Sequence, residues 1–383
     1  MKRTFILILG IVITVGCLAW SLKGTNTEQL KAGFSHANYL TLPLMLALLF
    51  GFYWLKTMRW QWLLAPAAPL TVRQLFPPML IGFAANNVLP AHLGEFIRVF
   101  VVRKKYDVPA STVLSTVVLE RIFDVLAILS LFAVGLVFTD GLPEDYRRWA
   151  IVAGAAVGAV VLAVVMYLIR TDLFIRSFAW TLSWFPFLPS KLTAGLLEML
   201  RTGADGLAAL RSGRAVFLIT VSSLAQWLLN GMIAYVALKS FRIDVTPATG
   251  LIVTGVTALG VTIPSTPGYF GVVQLCFQVS MHTQKIQPDP SLVLGASFYY
   301  QLSMFIPVTL LGWYYMVQSG LSLKDLRRAA TSDSPIGNAP SKEDLTSEVC
   351  MDQRFGLPGS VGSAEPISGA SGAGCAPPNG APP

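Results

Sequence analysis

The sequence predicts an all-α integral membrane protein with about six spanning helices and two re-entrant helix pairs arranged as an inverted repeat. Hydrophobic residues make up 54% of the 383-residue chain, and only 13% of residues are charged. Together with a mean hydropathy of +0.61, this is the balance of a multi-spanning membrane protein. Several windows reach the roughly 20 apolar residues that cross a bilayer core of about 30 Å. Two further apolar windows are interrupted by Pro and Gly, which predicts the re-entrant pairs.

Six uninterrupted apolar windows predict the spanning helices. They are residues 5–22, 39–55, 113–139, 149–169, 215–238 and 292–319. Most Lys and Arg lie on one side of the membrane if windows 75–102 and 247–281 dip in without crossing and both termini are cytoplasmic. We therefore expect a multi-pass protein of the cytoplasmic (inner) membrane with its N- and C-termini in the cytoplasm.

The first broken window predicts one wall of a polar cavity. Asn87, Pro90 and Gly94 interrupt its apolar run, and Glu95 and Arg98 follow within about one helical turn. Pro90 removes an amide donor and clashes with the preceding turn, so the backbone is expected to break there. Broken backbone at membrane depth is tolerated only where protein or a water-filled cavity satisfies its polar groups.

The second broken window repeats the pattern of the first, because in each a Pro is followed four positions later by a Gly. The residues expected to form re-entrant backbone are Pro90, Gly94, Pro264, Pro267, Gly268 and Gly271. Inverted repeats with interrupted helices build transporter sites that are reachable from either side of the membrane. Asn87, Tyr269 and Gln274 are included among the candidate substrate-binding residues.

Three charges lie inside the third predicted spanning helix. Each costs on the order of 2.5–3.5 kcal/mol at the bilayer centre, so Glu120, Arg121 and Asp124 must face protein or water. Glu120 and Asp124 are four residues apart and share a helix face. Arg121 points about 100° away, toward Glu95 or a ligand anion. The alternative is a buried structural ion-pair network with Arg98, and the two interpretations are compatible.

Arg59 lies at the inner end of the second predicted helix, next to Trp60. It is either a snorkelling interface anchor, a phosphate-binding residue or a further member of the ion-pair network. The net charge of +8 is attributed to cytoplasmic loops of a membrane protein and not to nucleic-acid binding. We find no paired His at ligand spacing and no nucleotide-binding motif, so no metal, cofactor or catalytic residue is predicted.

The chain is expected to divide into a membrane domain, residues 1–328, and a disordered cytoplasmic tail, residues 329–383. The tail is rich in Gly, Ser, Pro and Ala and cannot bury enough apolar surface to fold. Within the membrane domain, residues 170–214 carry apolar residues at helical spacing between charges. This pattern predicts a helix that lies in the cytoplasmic interface.

These motifs resemble the membrane domain of lysylphosphatidylglycerol synthases and related flippase-like membrane proteins, over roughly residues 1–328. The resemblance rests on Arg59-Trp60, Asn87-x-x-Pro90-x-x-x-Gly94-Glu95-x-x-Arg98, Glu120-Arg121-x-x-Asp124 and Pro264-x-x-Pro267-Gly268-x-x-Gly271. It implies a bundle with two re-entrant helix pairs that moves polar or lipid-linked head groups between leaflets. In the family a Glu often follows the last motif, whereas this chain continues Val272-Val273-Gln274.

The tail is too short and too polar for the soluble aminoacyl-transferase domain of the synthases. We therefore expect a stand-alone member of the family that does not make an aminoacyl lipid by itself. Some stand-alone members accompany hopanoid or glycolipid pathways, so the expected partner is a membrane phospholipid, a lipid-linked glycan or a hopanoid. A homo-oligomer and contacts with lipid-biosynthesis enzymes are also compatible with the sequence.

The function expected from these residues is lipid translocation. Arg98 and Arg121 would attract an anionic phosphate, with Arg59 as a gate or interface anchor. Glu95, Glu120 and Asp124 would hold those arginines and contact a cationic or hydroxylated head group.

Two other classes of function stay open on the sequence alone. One is a membrane enzyme that acts on a lipid-linked donor and uses Glu95 or Asp124 as general base. The other is a non-transporting accessory protein that recruits lipid-pathway enzymes through its tail.

Overall fold

The computed structural model describes residues 2–22, 24–89, 93–139, 170–183, 213–262, 267–284 and 288–321, together with scattered positions between 148 and 166. The described part is helical and contains no strand, which confirms the all-α prediction. The predicted interfacial helix after residue 183 and the tail after residue 328 lie outside the described residues.

In chain order the helices are α1 (Lys2–Ser21), α2 (Thr27–His36), α3 (Leu42–Leu64), α4 (Val72–Val88), α5 (Gly94–Tyr106), α6 (Ala110–Val137), α7 (Thr171–Ser183), α8 (Gly213–Ser240), α9 (Pro247–Gly260), α10 (Val272–Thr283) and α11 (Pro290–Gln318). Short 3-10 turns, Tyr39–Thr41 and Pro267–Tyr269, precede α3 and α10. Five of the six predicted spanning windows coincide with helices. The sixth, residues 149–169, lies largely outside the described residues.

Three described helical stretches are long and apolar enough to cross a membrane: Tyr39–Leu64, Gly213–Ser240 and Pro290–Gln318. Large apolar side chains such as Phe50, Phe217 and Leu310 are exposed along them, as expected of helices that face lipid. Helix α6 has 28 residues and matches them in length, but it carries three charged residues near its middle.

Two features near the N-terminus differ from the sequence prediction. Residues 23–38, which lie between the first two predicted spanning windows, contain α2, whose first turn is capped by Asn26 accepting from the Glu28 amide at 2.8 Å. Helix α3 does not end at Leu55 but continues to Leu64. Hydropathy alone placed the end at the first charged residues, whereas partners elsewhere in the chain allow α3 to bury them.

Each broken window holds two short helices that pack on each other, α4 on α5 and α9 on α10. They contain 17, 13, 14 and 12 residues. At 1.5 Å per residue their lengths run from about 26 Å down to about 18 Å, so each is shorter than a bilayer core. Pro90 and Pro264 themselves lie outside the described residues.

Extensive helix-to-helix contacts join the first half of the chain to the second. Helix α3 packs against α8, α4 packs against α11, and α9 packs against α6. The Asn38 amide donates to the Ser240 carbonyl at 2.8 Å, and Arg59 Nη1 donates to Ser223 Oγ at 2.7 Å. Asn38, just before α3, meets Ser240 at the end of α8, whereas Arg59, near the end of α3, meets Ser223 in the first half of α8. These two helices are therefore antiparallel.

The contact between α4 and α11 depends on a glycine. A Cβ on Gly312 would lie 2.5 Å from the Leu80 carbonyl oxygen and would also clash with Ala84 Cβ. The missing side chain therefore permits the close approach of the two backbones.

We predict that Gly312→Ala lowers the stability of the protein by about 1–3 kcal/mol, because the added methyl group overpacks this contact. The measurement is the thermal unfolding midpoint of purified protein in detergent. Gly16→Ala is the matched control, since nothing lies within 4 Å of a Cβ added there. Equal midpoints for the two variants would contradict the close packing of α4 on α11.

Candidate functional site

Five charged side chains meet between α3, α5 and α6. Lys56 Nζ lies 3.0 Å from Glu120 Oε1 and 2.8 Å from Asp124 Oδ2. Arg59 Nη1 donates to Asp124 Oδ1 at 2.8 Å, and Arg98 Nη2 donates to Glu120 Oε2 at 2.9 Å. Each of the five side chains is 4% exposed or less. We call these five residues the buried charge cluster.

Helix α8 completes the cluster around Asp124. Gln226 Nε2 and Trp227 Nε1 donate to Asp124 Oδ1 at 2.6 and 2.8 Å, beside the bond from Arg59. Arg59 also binds Ser223 on α8, as described above. One carboxylate oxygen thus accepts from two different helices, which ties α3, α6 and α8 together at one level.

The cluster is buried and incompletely hydrogen-bonded. Arg98 lies 4.3 Å from the ring centroid of Trp60, and Trp60 Nε1 donates to Thr116 Oγ1 at 3.0 Å. Among the described residues, Arg59 Nε and Arg98 Nε have no hydrogen-bond partner, whereas Arg59 Nη2 and Glu120 Oε1 take part in ion pairs without hydrogen-bond geometry. The described members carry three positive charges against two carboxylates, so ion pairing leaves one positive charge in excess.

A second ion pair lies at the edge of the cluster and is partly exposed. Arg121 on α6 pairs with Glu95 at the start of α5, and their side chains are 41% and 25% exposed. Tyr269, in the turn of the second broken window, is within electrostatic range of both groups. That turn also contacts α4. The two broken windows therefore approach each other next to Arg121.

The first break is closed by asparagine side chains. Asn86 Oδ1 accepts from the Gly94 amide at 2.7 Å, which satisfies the first amide of α5. A Cβ on Gly82 would lie 2.8 Å from the Gly94 carbonyl oxygen, so the two helix backbones are in contact. Asn87 Nδ2 donates to Thr309 Oγ1 at 2.9 Å and thereby fixes the end of α4 on α11.

The second break is closed by glutamines. Gly268 and Gly271 have φ values of 79° and 85°, a left-handed conformation that glycine adopts without a steric penalty. Gln301 Nε2 donates to the Gly268 carbonyl at 2.5 Å, and Gln274 Nε2 donates to Gln301 Oε1 at 2.6 Å. Gln274 Oε1 accepts from the Gly271 amide at 2.6 Å. The described part of the break, from Gly268 to Gly271, is thus held by hydrogen bonds within the protein.

The structure sorts the predicted site residues into three groups. Arg59, Arg98, Glu120 and Asp124 belong to the buried charge cluster, Glu95, Arg121 and Tyr269 lie together at its exposed edge, and Asn87, Gly94, Pro267, Gly268, Gly271 and Gln274 build the breaks. The predicted role of Arg59 as a snorkelling interface anchor is wrong. Its side chain is fully buried between α3, α6 and α8. The predicted network with Arg98 and Arg59 is present.

The residues missed by sequence reasoning are Lys56, Asn86, Ser223, Gln226, Trp227 and Gln301. Lys56 precedes Arg59 by three residues, so both lie on one helix face. It directly follows the apolar window 39–55, where a charge normally marks the membrane interface. Gln226 and Gln301 carry amides inside apolar helices. A polar side chain in such a helix is costly and so indicates a buried partner, but the cost is smaller for a neutral amide than for the charged Glu120.

The arrangement suits recognition of an anion at Arg121. A guanidinium matches the geometry of phosphate and carboxylate oxygens with two parallel hydrogen bonds. In the described part of the chain, no group of three or more His, Cys, Asp or Glu is placed to hold a metal ion. The fold and this site define a multi-pass helical membrane protein with charged groups stored between its helices.

The chain belongs to the family described as the lysylphosphatidylglycerol synthase TM region, whose model matches residues 7–312. The resemblance drawn from the motifs is thereby confirmed. No solved structure matches the chain.

Three relatives are archaeal proteins. The glycosyltransferase AglD of Haloferax volcanii is 27% identical over 236 residues, which cover 53% of this chain and 36% of that protein. A UPF0104 membrane protein of Methanocaldococcus jannaschii is 25% identical over 243 residues, 62% of this chain and 95% of its own length. Another of Methanothermobacter thermautotrophicus is 28% identical over 166 residues, 41% and 46% of the two chains. The chain thus spans about a third of the Haloferax protein.

We predict that Asp124→Asn destabilises the protein by about 3–5 kcal/mol, because three buried cations would then face a single carboxylate. Thermal unfolding in detergent measures the loss. Asp244→Asn is the control, since the Asp244 side chain is fully exposed and pairs only with Lys239, whose hydrogen bond holds the pKa of the Asp244 carboxyl below its usual value. We expect the control to unfold like the wild type, and an Asp124→Asn protein that does the same would contradict a structural cluster.

Proposed function

We propose that this protein translocates lipids with anionic, phosphate-bearing head groups between the two leaflets of the cytoplasmic membrane. The observation that carries the proposal is the partly exposed ion pair between Arg121, in the 28-residue helix α6, and Glu95 at the start of α5. At 1.5 Å per residue, Arg121 lies about 17 Å from the start of α6 and about 24 Å from its end. A partly exposed guanidinium near the middle of such a helix is the expected feature of a head-group pathway.

The inverted repeat explains how such a site is reached from both leaflets. Each half has a long helix, a broken pair of short helices and another long helix: α3, α4, α5 and α6 in the first, and α8, α9, α10 and α11 in the second. The equivalent helices α3 and α8 are antiparallel, and each half packs its first short helix against the last long helix of the other. This reciprocal packing supports two oppositely oriented halves with re-entrant pairs that meet near the midplane.

The site residues then divide by role. The buried charge cluster is the frame that holds α3, α5, α6 and α8 at fixed positions. Arg121 binds the phosphate, and Glu95 holds Arg121 until a head group displaces it. Tyr269 presents a hydroxyl from the other half of the repeat, and Asn87 and Gln274 keep the breaks in shape beside the pathway.

Of the lipid classes expected from the sequence, a phospholipid or a glycan linked to its lipid through phosphate fits an arginine site of this kind. Both termini face the cytoplasm in this topology, and no cofactor is required. Transport of a charged head group through protein contacts instead of hydrocarbon removes the cost of exposing the charge to the bilayer core.

A second candidate is a membrane enzyme that uses a lipid-linked donor. It is favoured by the name of the Haloferax relative, a glycosyltransferase, and by the partial exposure of the Glu95 carboxylate. Purified protein in detergent would then form product from a lipid-linked sugar, with no membrane asymmetry needed. An accessory role that depends on the tail would instead disappear when residues 329–383 are deleted.

We predict that Arg121→Gln lowers the translocation rate of a fluorescent phosphatidylglycerol in reconstituted vesicles by about tenfold or more, a loss of about 1.4 kcal/mol of binding at the pathway. Dithionite quenching of the outer leaflet reports the rate. Membrane insertion and the unfolding midpoint should change little, because Arg121 lies outside the buried charge cluster.

Arg73→Gln is the matched control for charge, since Arg73 is an exposed arginine at the start of α4. It should translocate lipid like the wild type. Equal rates for Arg121→Gln and the wild type would rule out Arg121 as the head-group ligand, and product formation without translocation would favour the enzyme.

A further inference from the structure

The excess positive charge of the buried charge cluster requires a compensating partner or a change of charge. Lys56, Arg59 and Arg98 face only Glu120 and Asp124, and the described groups around them supply no further carboxylate except Glu95, which pairs with Arg121. An uncompensated charge in a dry site is costly. An external anion does not reach the cluster, because every member is 4% exposed or less.

A proton is the ligand that such a closed site can exchange. An arginine keeps its charge under all physiological conditions, so neither Arg59 nor Arg98 can lose a proton. Among the described cations of the cluster, Lys56 is the one that can lose a proton. Without its extra proton the cluster is electrically neutral, and the amine still contacts Asp124 and Glu120.

The surroundings of Lys56 also accommodate its charged form. Asp124 and Glu120 on α6 lie within 3.0 Å, and the rings of Phe52 and Phe83 lie 5.8 and 5.5 Å from Nζ. Against these stand the like charges of Arg59 on α3, Arg98 on α5 and Arg121 on α6. The groups around Lys56 therefore include charges that favour its ammonium form and charges that oppose it.

Arg121 connects the protonation of Lys56 to the proposed substrate pathway. It follows Glu120 in the chain and interacts electrostatically with Glu95, Glu120 and Asp124. When a phosphate replaces Glu95 as the partner of Arg121, Glu95 is freed and the charges around the cluster change. While Glu95 is displaced, water reaches Lys56 and accepts its proton, which breaks one N–H bond and leaves a neutral amine; the return of the proton restores the ammonium.

We propose that Lys56 is a proton-coupling site, at which one proton is bound or released for each anionic head group that passes Arg121. The proposal rests on the proposed lipid translocation and adds its energy source. A transmembrane pH difference would then drive lipid asymmetry.

The test uses the full-length protein in vesicles with fluorescent phosphatidylglycerol, with and without an imposed difference of one pH unit. With one coupled proton, the wild type should shift the leaflet ratio of the lipid by up to about tenfold, since one unit corresponds to 1.36 kcal/mol. Lys56→Arg, which is permanently charged, should show the same leaflet ratio with and without the gradient. Lys105→Arg, an exposed lysine at the end of α5, should respond like the wild type.

Lys56→Met provides a second, permanently uncharged variant in case the arginine does not fit. A lumenal pH dye in wild-type vesicles supplies a readout that needs no variant, because lipid addition should change the lumenal pH. A wild type that translocates lipid without any gradient response or lumenal pH change overturns the coupling and leaves the proposed function standing. A gradient response retained by both Lys56 variants overturns the role of Lys56, and absence of all translocation overturns both proposals.

Discussion

The structure depends on the burial of Glu120 and Asp124 in the middle of a largely apolar helix. Neither carboxylate is tolerable there alone. Glu120 pairs with cations on α3 and α5, and Asp124 pairs with cations on α3 and accepts from amide and indole donors on α8. The cost of the charges is offset only if all four helices are in place. The cluster therefore selects one arrangement of helices over others that hydrophobic packing alone would permit.

The same requirement explains the broken windows. Interrupted backbone at membrane depth must find polar partners, and in both halves amides provide them: Asn86 at the first break and Gln301 with Gln274 at the second. Because these partners are neutral, the breaks are held without adding charge. In the described part of the chain, Arg121 and Glu95 then form the partly exposed ion pair beside the first break.

Much of this architecture could be predicted from the sequence. Apolar windows located α1, α3, α6, α8 and α11, and the Pro and Gly residues located both breaks. Glu120 and Asp124 were recognised because a charge in an apolar helix is conspicuous. Lys56 and Arg59 were misplaced at a helix end because a charge that follows an apolar run normally marks the interface, and only long-range partners reveal that α3 continues.

The pairing of Gln226 and Trp227 with Asp124 was beyond sequence reasoning, since it joins residues about a hundred positions apart. The same holds for Asn86 and Gln301, whose role is to satisfy backbone groups that a sequence does not display. Helix α2 was missed because it is short and polar, so hydropathy does not distinguish it from a loop.

The central claim is that water enters the bundle as far as Arg121 and Glu95 and stops before the buried charge cluster. In a variant whose native cysteines are replaced by serine, single cysteines at Glu95 and at Gln226 would be treated with a membrane-impermeant thiol reagent. We expect the cysteine at position 95 to react at a rate similar to that of a thiol on the protein surface. The cysteine at position 226 should stay unlabelled. An unreactive position 95, or equal labelling of both positions, would contradict the account.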